Sequence, residues 1–359
     1  MMEVLILGNS NKSVKLTAAE VSYLWTTYLS DSMSICVFQY YLKHIDDQDI
    51  KKLILHALDL SQQHIEIIKS IFTEEKILIP QGFTKEDVNL NAERLFSDIF
   101  YLQYIKNMAK GGLMTYGRML PNIYRDDIRS FYAKGITSST ELDTEATRIL
   151  LEKGLATRPP TIPYPEKVEF VQKQFFVLER LGRRPALTGT EVTNLYANIQ
   201  SNTLGSSSAT GFIQASKTGK VRQYLQRGKE IAIKHIKVFR SYLENYSLPI
   251  PMSLDQEVTI STDPPFSEKL MMFHFSLKIY AGIGNFGVSI SESQRSDLVM
   301  DYSRIMVEVL KYSEDGANIM INGLNNPHFL LIEMIWQKGK SLAMALIKGP
   351  LLFYFLFFI

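Results

Sequence analysis

Cysteine is almost missing from this chain: one residue in 359, Cys36, which excludes an internal disulfide and leaves no basis for a cysteine-built zinc site. A reducing compartment suits such a sequence. An excess of one charge sign is missing as well. The net charge is only +2, so the overall balance gives no reason to expect nucleic acid or an anionic membrane as a partner. Long apolar runs are also scarce. The opening "MMEVLILGNSNKS" has neither a basic flank nor a small-residue cleavage pattern, so export by a signal peptide is not expected and the cytoplasm is the expected location. The closing "GPLLFYFLFFI" falls well short of the roughly 20 residues needed to cross a bilayer, and Lys338, Lys340 and Lys348 interrupt what precedes it. Strand-like alternation, a phosphate-cradling loop, a His-Glu-x-x-His motif and a nucleophile elbow are absent too. "GIGNFG" (Gly282 to Gly287) spells a dinucleotide motif but has no strand before it, and close helix packing explains its glycines better.

What is present is a long internal repeat. "LTAAEVSYLW" from Leu16 aligns with "LTGTEVTNLY" from Leu187, placing Glu20 on Glu191 at an offset of 171 residues. The same offset carries His64 of "HIEIIKSIF" to His235 of "KHIKVFRSYL", and Pro80 to Pro251. Past the following loop the offset is 170, pairing Gly112 with Gly282, Arg125 with Arg295 and Asp127 with Asp297; at Gly154 and Gly323 it is 169. A period this long denotes a duplicated domain, not a solenoid.

Each copy is patterned as four long helices. In copy one they run over about 16–44, opening with a Thr17/Glu20 capping box, about 47–75, about 91–119 and about 122–153. The first and second pairs are joined by tight turns. A longer loop, "ILIPQGFTKEDVNLN", leads from the second helix to the third. Two hairpins joined by one long crossover is the arrangement of a ferritin-like four-helix bundle. The expected fold is therefore all-α, a tandem of two such bundles, at 1–156 and 186–325. A proline-rich linker and packing segment lies between them at 157–185, and an atypical tail follows at 326–359. That tail departs from the repeat; a frame-shifted terminus, an extra packing helix and a membrane-touching segment all fit it.

With "ILIP" in copy one and "KVEFVQKQFF" and "RRPALTGTEV" in copy two added to these motifs, the tandem resembles a duplicated ferritin-like family of unknown function from spore-forming bacilli, some of whose members are labelled spore-coat-like. The resemblance covers about residues 16–324. It implies a non-enzymatic structural or assembly role tied to sporulation or the spore coat, a spore-associated location, and no catalytic residues.

Candidate site residues come from the histidines. A di-iron bundle needs Glu-x-x-His on two helices, and that signature is absent. Helical period and the tight turn near Ile45 place Asp31 level with His64 and, in copy two, Asn202 level with His235. One reading is a paired polar layer that fixes helix register. The sharper alternative adds His274 and Glu308 to His235, giving a divalent metal site, and hence metal-binding or redox chemistry, in copy two only. The first reading needs no cofactor. Finally, Lys217, Lys220, Arg222, Arg227, Lys229, Lys234, Lys237 and Arg240 crowd one helix, which is either a solvated face or a docking face for an acidic protein partner or a second copy.

Overall fold

The computed structural model describes residues 14–164, 166–167 and 186–323, and among them all regular structure beyond isolated β-bridge residues is helical. The packing segment at 168–185 and the tail at 326–359 lie outside the described residues. The described residues form two compact units, residues 14–155 with Pro265–Leu270, and residues 156–264 with 271–323.

In the first unit α1 (Ala18–His44) packs along α2 (Gln48–Glu74), α3 (Asp98–Met119) along α4 (Asp126–Glu152), and α2 also against α4. The local causes are readable. Thr17 and Glu20 form a reciprocal capping box at the start of α1, and Asp47 caps α2 by accepting from the Asp49 and Ile50 N–H groups. Pro121 lies in a short 3-10 turn, Leu120–Asn122, between α3 and α4. The third helix begins at Asp98, not near Asn91. Ser97 accepts from the Phe100 N–H as its N-cap, and the preceding segment is non-helical, with Leu95 and Phe96 fully buried.

The crossover is fastened to α1 by residues four apart, which share one face of the helix. Ser32 Oγ accepts from the Phe83 N–H at 3.0 Å, Cys36 Sγ donates to the Thr84 carbonyl at 3.3 Å, and the Tyr40 hydroxyl donates to the Glu93 carbonyl at 2.5 Å. Burial pushes the Cys36 thiol up to about 12, so it is held as an inert apolar group. Below it, Tyr41 stacks on Tyr101 with ring centroids 4.1 Å apart.

The helix order repeats with α5 (Gly189–Ala215), α6 (Gly219–Glu244), α7 (Glu268–Glu292) and α8 (Ser296–Gly323); α7 from residue 271 onward and α8 belong with α5 and α6 to the second unit. Its core is not a copy of the first. Leu53 and Ala57 of α2, and Leu142 and Ala146 of α4, correspond to Tyr224, Gly228, Tyr312 and Gly316. Both leucines have become tyrosines and both alanines glycines. The two tyrosine rings stack at 4.2 Å, and each lies against the glycine of the opposite helix, where a Cβ would collide with the phenol. Larger and smaller side chains have changed together, as close packing requires.

Candidate functional site

At the level of His64 the first unit holds a closed polar group. His64 Nδ1 donates to Asp31 Oδ2 at 3.0 Å, and Ser61 Oγ donates to Asp31 Oδ1 at 2.8 Å. Phe131 and Tyr116 meet the imidazole edge-on at 5.0 and 6.4 Å. Burial alone would lower the His64 pKa; the charge of Asp31 and the hydrogen bond to it outweigh burial and raise it. Because Ser61 gives its proton to the carboxylate and not to the imidazole, the trio is no nucleophile relay.

The second unit places its residues differently. His235, 1% exposed, donates from Nε2 to Glu308 Oε2 on α8 at 3.1 Å, and Lys234 donates to Glu308 Oε1 at 2.7 Å. Asn202, the counterpart of Asp31, turns away: its amide donates to the Asn198 carbonyl of its own helix at 2.8 Å. The acid that holds the histidine has thus moved from the first helix of the unit to the last. Burial lowers the His235 pKa, and Lys234 and Arg304 add to that; Glu308 opposes without prevailing.

The trio His235, His274 and Glu308 is not assembled. Among the described residues no three His, Cys, Asp or Glu side chains come close enough to hold a metal ion. The face of α7 turned to His235 carries Phe286, 5.8 Å away, whereas His274 lies twelve residues earlier, about 18 Å along the helix, and packs on Phe212 at 5.4 Å. His235 and Glu308 remain as a two-donor pair.

The clasp at the capped ends of the bundles is missed by a search for titratable clusters. Glu20, 1% exposed, completes its capping box through Oε2, while Oε1 accepts from the Tyr124 and Arg125 N–H groups at 3.0 and 2.9 Å. Glu191 does the same with Thr188, Gln294 and Arg295. The arginines then grip Asp127 and Asp297 through two nitrogens each. Burial pushes the Glu20 pKa up, but the N–H donors overcome it and hold the carboxyl below its usual range. The signal in the sequence was the coincidence of Glu, Arg and Asp in both copies.

On α6, Arg227 pairs with Asp315, Lys234 with Glu308 and Arg240 with Glu244. Three of the eight basic residues of the run are therefore ion-paired within their own unit. Among the described residues, no helix is long and apolar enough to cross a membrane.

Comparison with known proteins gives relatives of one copy's length. The chain is 24% identical to the uncharacterized protein YvdQ of Bacillus subtilis over 161 residues, which cover 43% of this chain and 94% of that protein. A crystal structure from Bacillus halodurans C-125, of a protein provisionally named as belonging to the spore coat, matches over 43% of this chain and all of its own, with 18% identity and a TM-score of 0.39. The profile of one family matches twice, at residues 5–168 and 175–324, once for each copy. The chain belongs to that protein family of unknown function, DUF3231.

Proposed function

We propose that this chain is a non-enzymatic structural or assembly protein, built from two ferritin-like bundles without the di-iron ligand set and associated with sporulation or the spore coat. The observation that carries the reading is where the two copies agree. Identity is kept in the helix-end clasps, Thr17/Thr188, Glu20/Glu191, Arg125/Arg295 and Asp127/Asp297, which serve stability. It is not kept in the polar layer, where a shared reaction would require it: the partner of the histidine differs in element and in chemistry. Assembly would use Lys229 and Lys237, two cations of α6 outside the ion pairs made by Arg227, Lys234 and Arg240, against an acidic partner or a second copy.

Two measurements test this. In the native host, the protein should be enriched in purified spores over vegetative cells; equal abundance in both removes the sporulation link. In solution, Lys229→Glu with Lys237→Glu should weaken a salt-sensitive association by about tenfold while leaving helical circular dichroism unchanged. Association that is identical in the variant, or absent at low salt, rules out the docking face.

A further inference from the structure

The crossover of the first unit ends in a contact that copy one does not supply. Pro265–Leu270, which lead into α7, group with the first unit. They lie edge to edge with the end of the crossover, where Val88 and Phe266 form an antiparallel bridge; the Asn89 N–H donates to the Pro265 carbonyl at 2.8 Å and the Ser267 N–H to the Asp87 carbonyl at 2.9 Å. Side chains complete the site. Phe266, 4% exposed, meets the Tyr40 ring edge-on at 5.2 Å, and Ser267 Oγ donates to Oδ1 of the buried Asp87 at 2.7 Å. Lys269 Nζ stands 3.6 Å from Asp87 Oδ2 and 4.9 Å from the centre of the Phe83 ring. Backbone pairing gives a strand-addition site of this kind its affinity, and the buried ring and carboxylate give it selectivity. Both halves recur in the repeat, Val88 at Val258 and Phe266-Ser267-Glu268 at Phe96-Ser97-Asp98.

We propose that this site is also an interface between molecules: Pro265–Leu270 of one copy of the protein occupies the Tyr40, Phe83 and Asp87 site of a second copy, and reciprocal exchange joins the two as a dimer. The inference rests on the assembly reading and gives that assembly a surface. Exchange keeps every contact and changes only the chain that supplies it, which makes the swap of an identical element a low-cost route to association. A pairing whose two halves both sit in one repeat is a pairing between repeats, and a second molecule offers the same halves as the first. Reach is sufficient. Residues 157–185, which join the copies, can span up to roughly 90 Å. The tether is what opposes exchange, because it presents the segment to its own chain at an effective concentration on the order of a millimolar. Exchange therefore grows as the protein concentration approaches that value, which close packing in an assembly supplies.

The test is disulfide trapping between full-length chains. Cys36 is the one native thiol, so Cys36→Ala clears the background, with Cys36→Val as the second choice if the first fails to fold. The two flanking backbone bonds make Val88 and Phe266 a non-hydrogen-bonded pair, whose Cα atoms lie about 4.5 Å apart, within range of a disulfide. One chain carries Val88→Cys with Phe266→Ala, so that its own segment competes no better, and the other carries Phe266→Cys. Mixed at about millimolar concentration and oxidised, they should give a disulfide-linked heterodimer whose yield falls on dilution. Adding Ser267→Ala to the second chain, which removes the hydrogen bond to the Asp87 carboxylate, should lower the yield by about tenfold. A single chain carrying both cysteines should close within itself in dilute solution. No heterodimer at any concentration, an undiminished yield with Ser267→Ala, an equal yield of Phe266→Cys homodimer, or a double-cysteine chain that does not close would each overturn the proposal. Spore enrichment and the salt-sensitive association through Lys229 and Lys237 are measured separately, so the assembly reading and this interface can fail independently.

Discussion

At the scale of the residue, the half-buried His64 and the buried His235 are one substitution series written within a single chain. His64 faces Asp31, with Ser61, Tyr116 and Phe131 around it; His235 faces Glu308, with Lys234 and Arg304 on the outer side and Phe286 inside. Their pKa values move in opposite directions from the ordinary 6.5. For His64 the folded value is raised, so its contribution to stability is complete below 6.5 and fades as the pH rises through the folded value. For His235 the folded value is lowered, so its contribution is complete above 6.5 and is lost as the pH falls toward the folded value. His64→Ala should cost about 1–3 kcal/mol, because a buried carboxylate loses one of its two donors. It should cost more at about pH 5.5 than at about pH 7.5, and His235→Ala should show the reverse order. Denaturant unfolding of both variants at the two pH values checks this. Equal costs at both pH values would remove the difference in environment.

At the scale of the element, helix pairing depends on matched side-chain volumes and fixed ends. On α6 and α8, Tyr224 and Tyr312 use the space that Gly228 and Gly316 leave open. Gly228→Ala should therefore destabilise the second unit by about 1–3 kcal/mol through overpacking, although alanine is intrinsically the better helix former by about 1 kcal/mol. Adding Tyr312→Leu, which restores the first copy's combination at both positions, should recover most of the loss. A melting midpoint raised by Gly228→Ala alone would show that the tyrosines yield at little cost. The helix ends follow a different rule. The capping boxes were legible because Thr17 and Glu20 are three residues apart, whereas the second use of Glu20, fixing the start of α4, joins residues more than a hundred positions apart and has no local signature.

At the scale of the whole molecule, each copy carries its own set of four helices in one compact unit, save for the start of α7. A fragment ending at Pro160 should fold as a helical domain with one cooperative thermal transition. A non-cooperative melt, or a spectrum without helix, would mean that the first unit depends on residues outside the fragment, Pro265–Leu270 being the first to examine because they group with it. The sequence by itself determined the duplication, the all-helical class, the capped starts of α1 and α5, and the level of Asp31 relative to His64. Each of these depends on spacing along the chain: a period of about 3.6 residues, a three-residue cap, or a short turn that fixes which residues of a hairpin share a height. Only the tertiary structure decided that Glu308 and not Asn202 holds His235, that His274 stands well away from both, and that α3 starts at Asp98. Those outcomes depend on how each helix is rotated about its axis against neighbours far along the chain. That rotation is set by the summed fit of all the side chains between them, which no local pattern records.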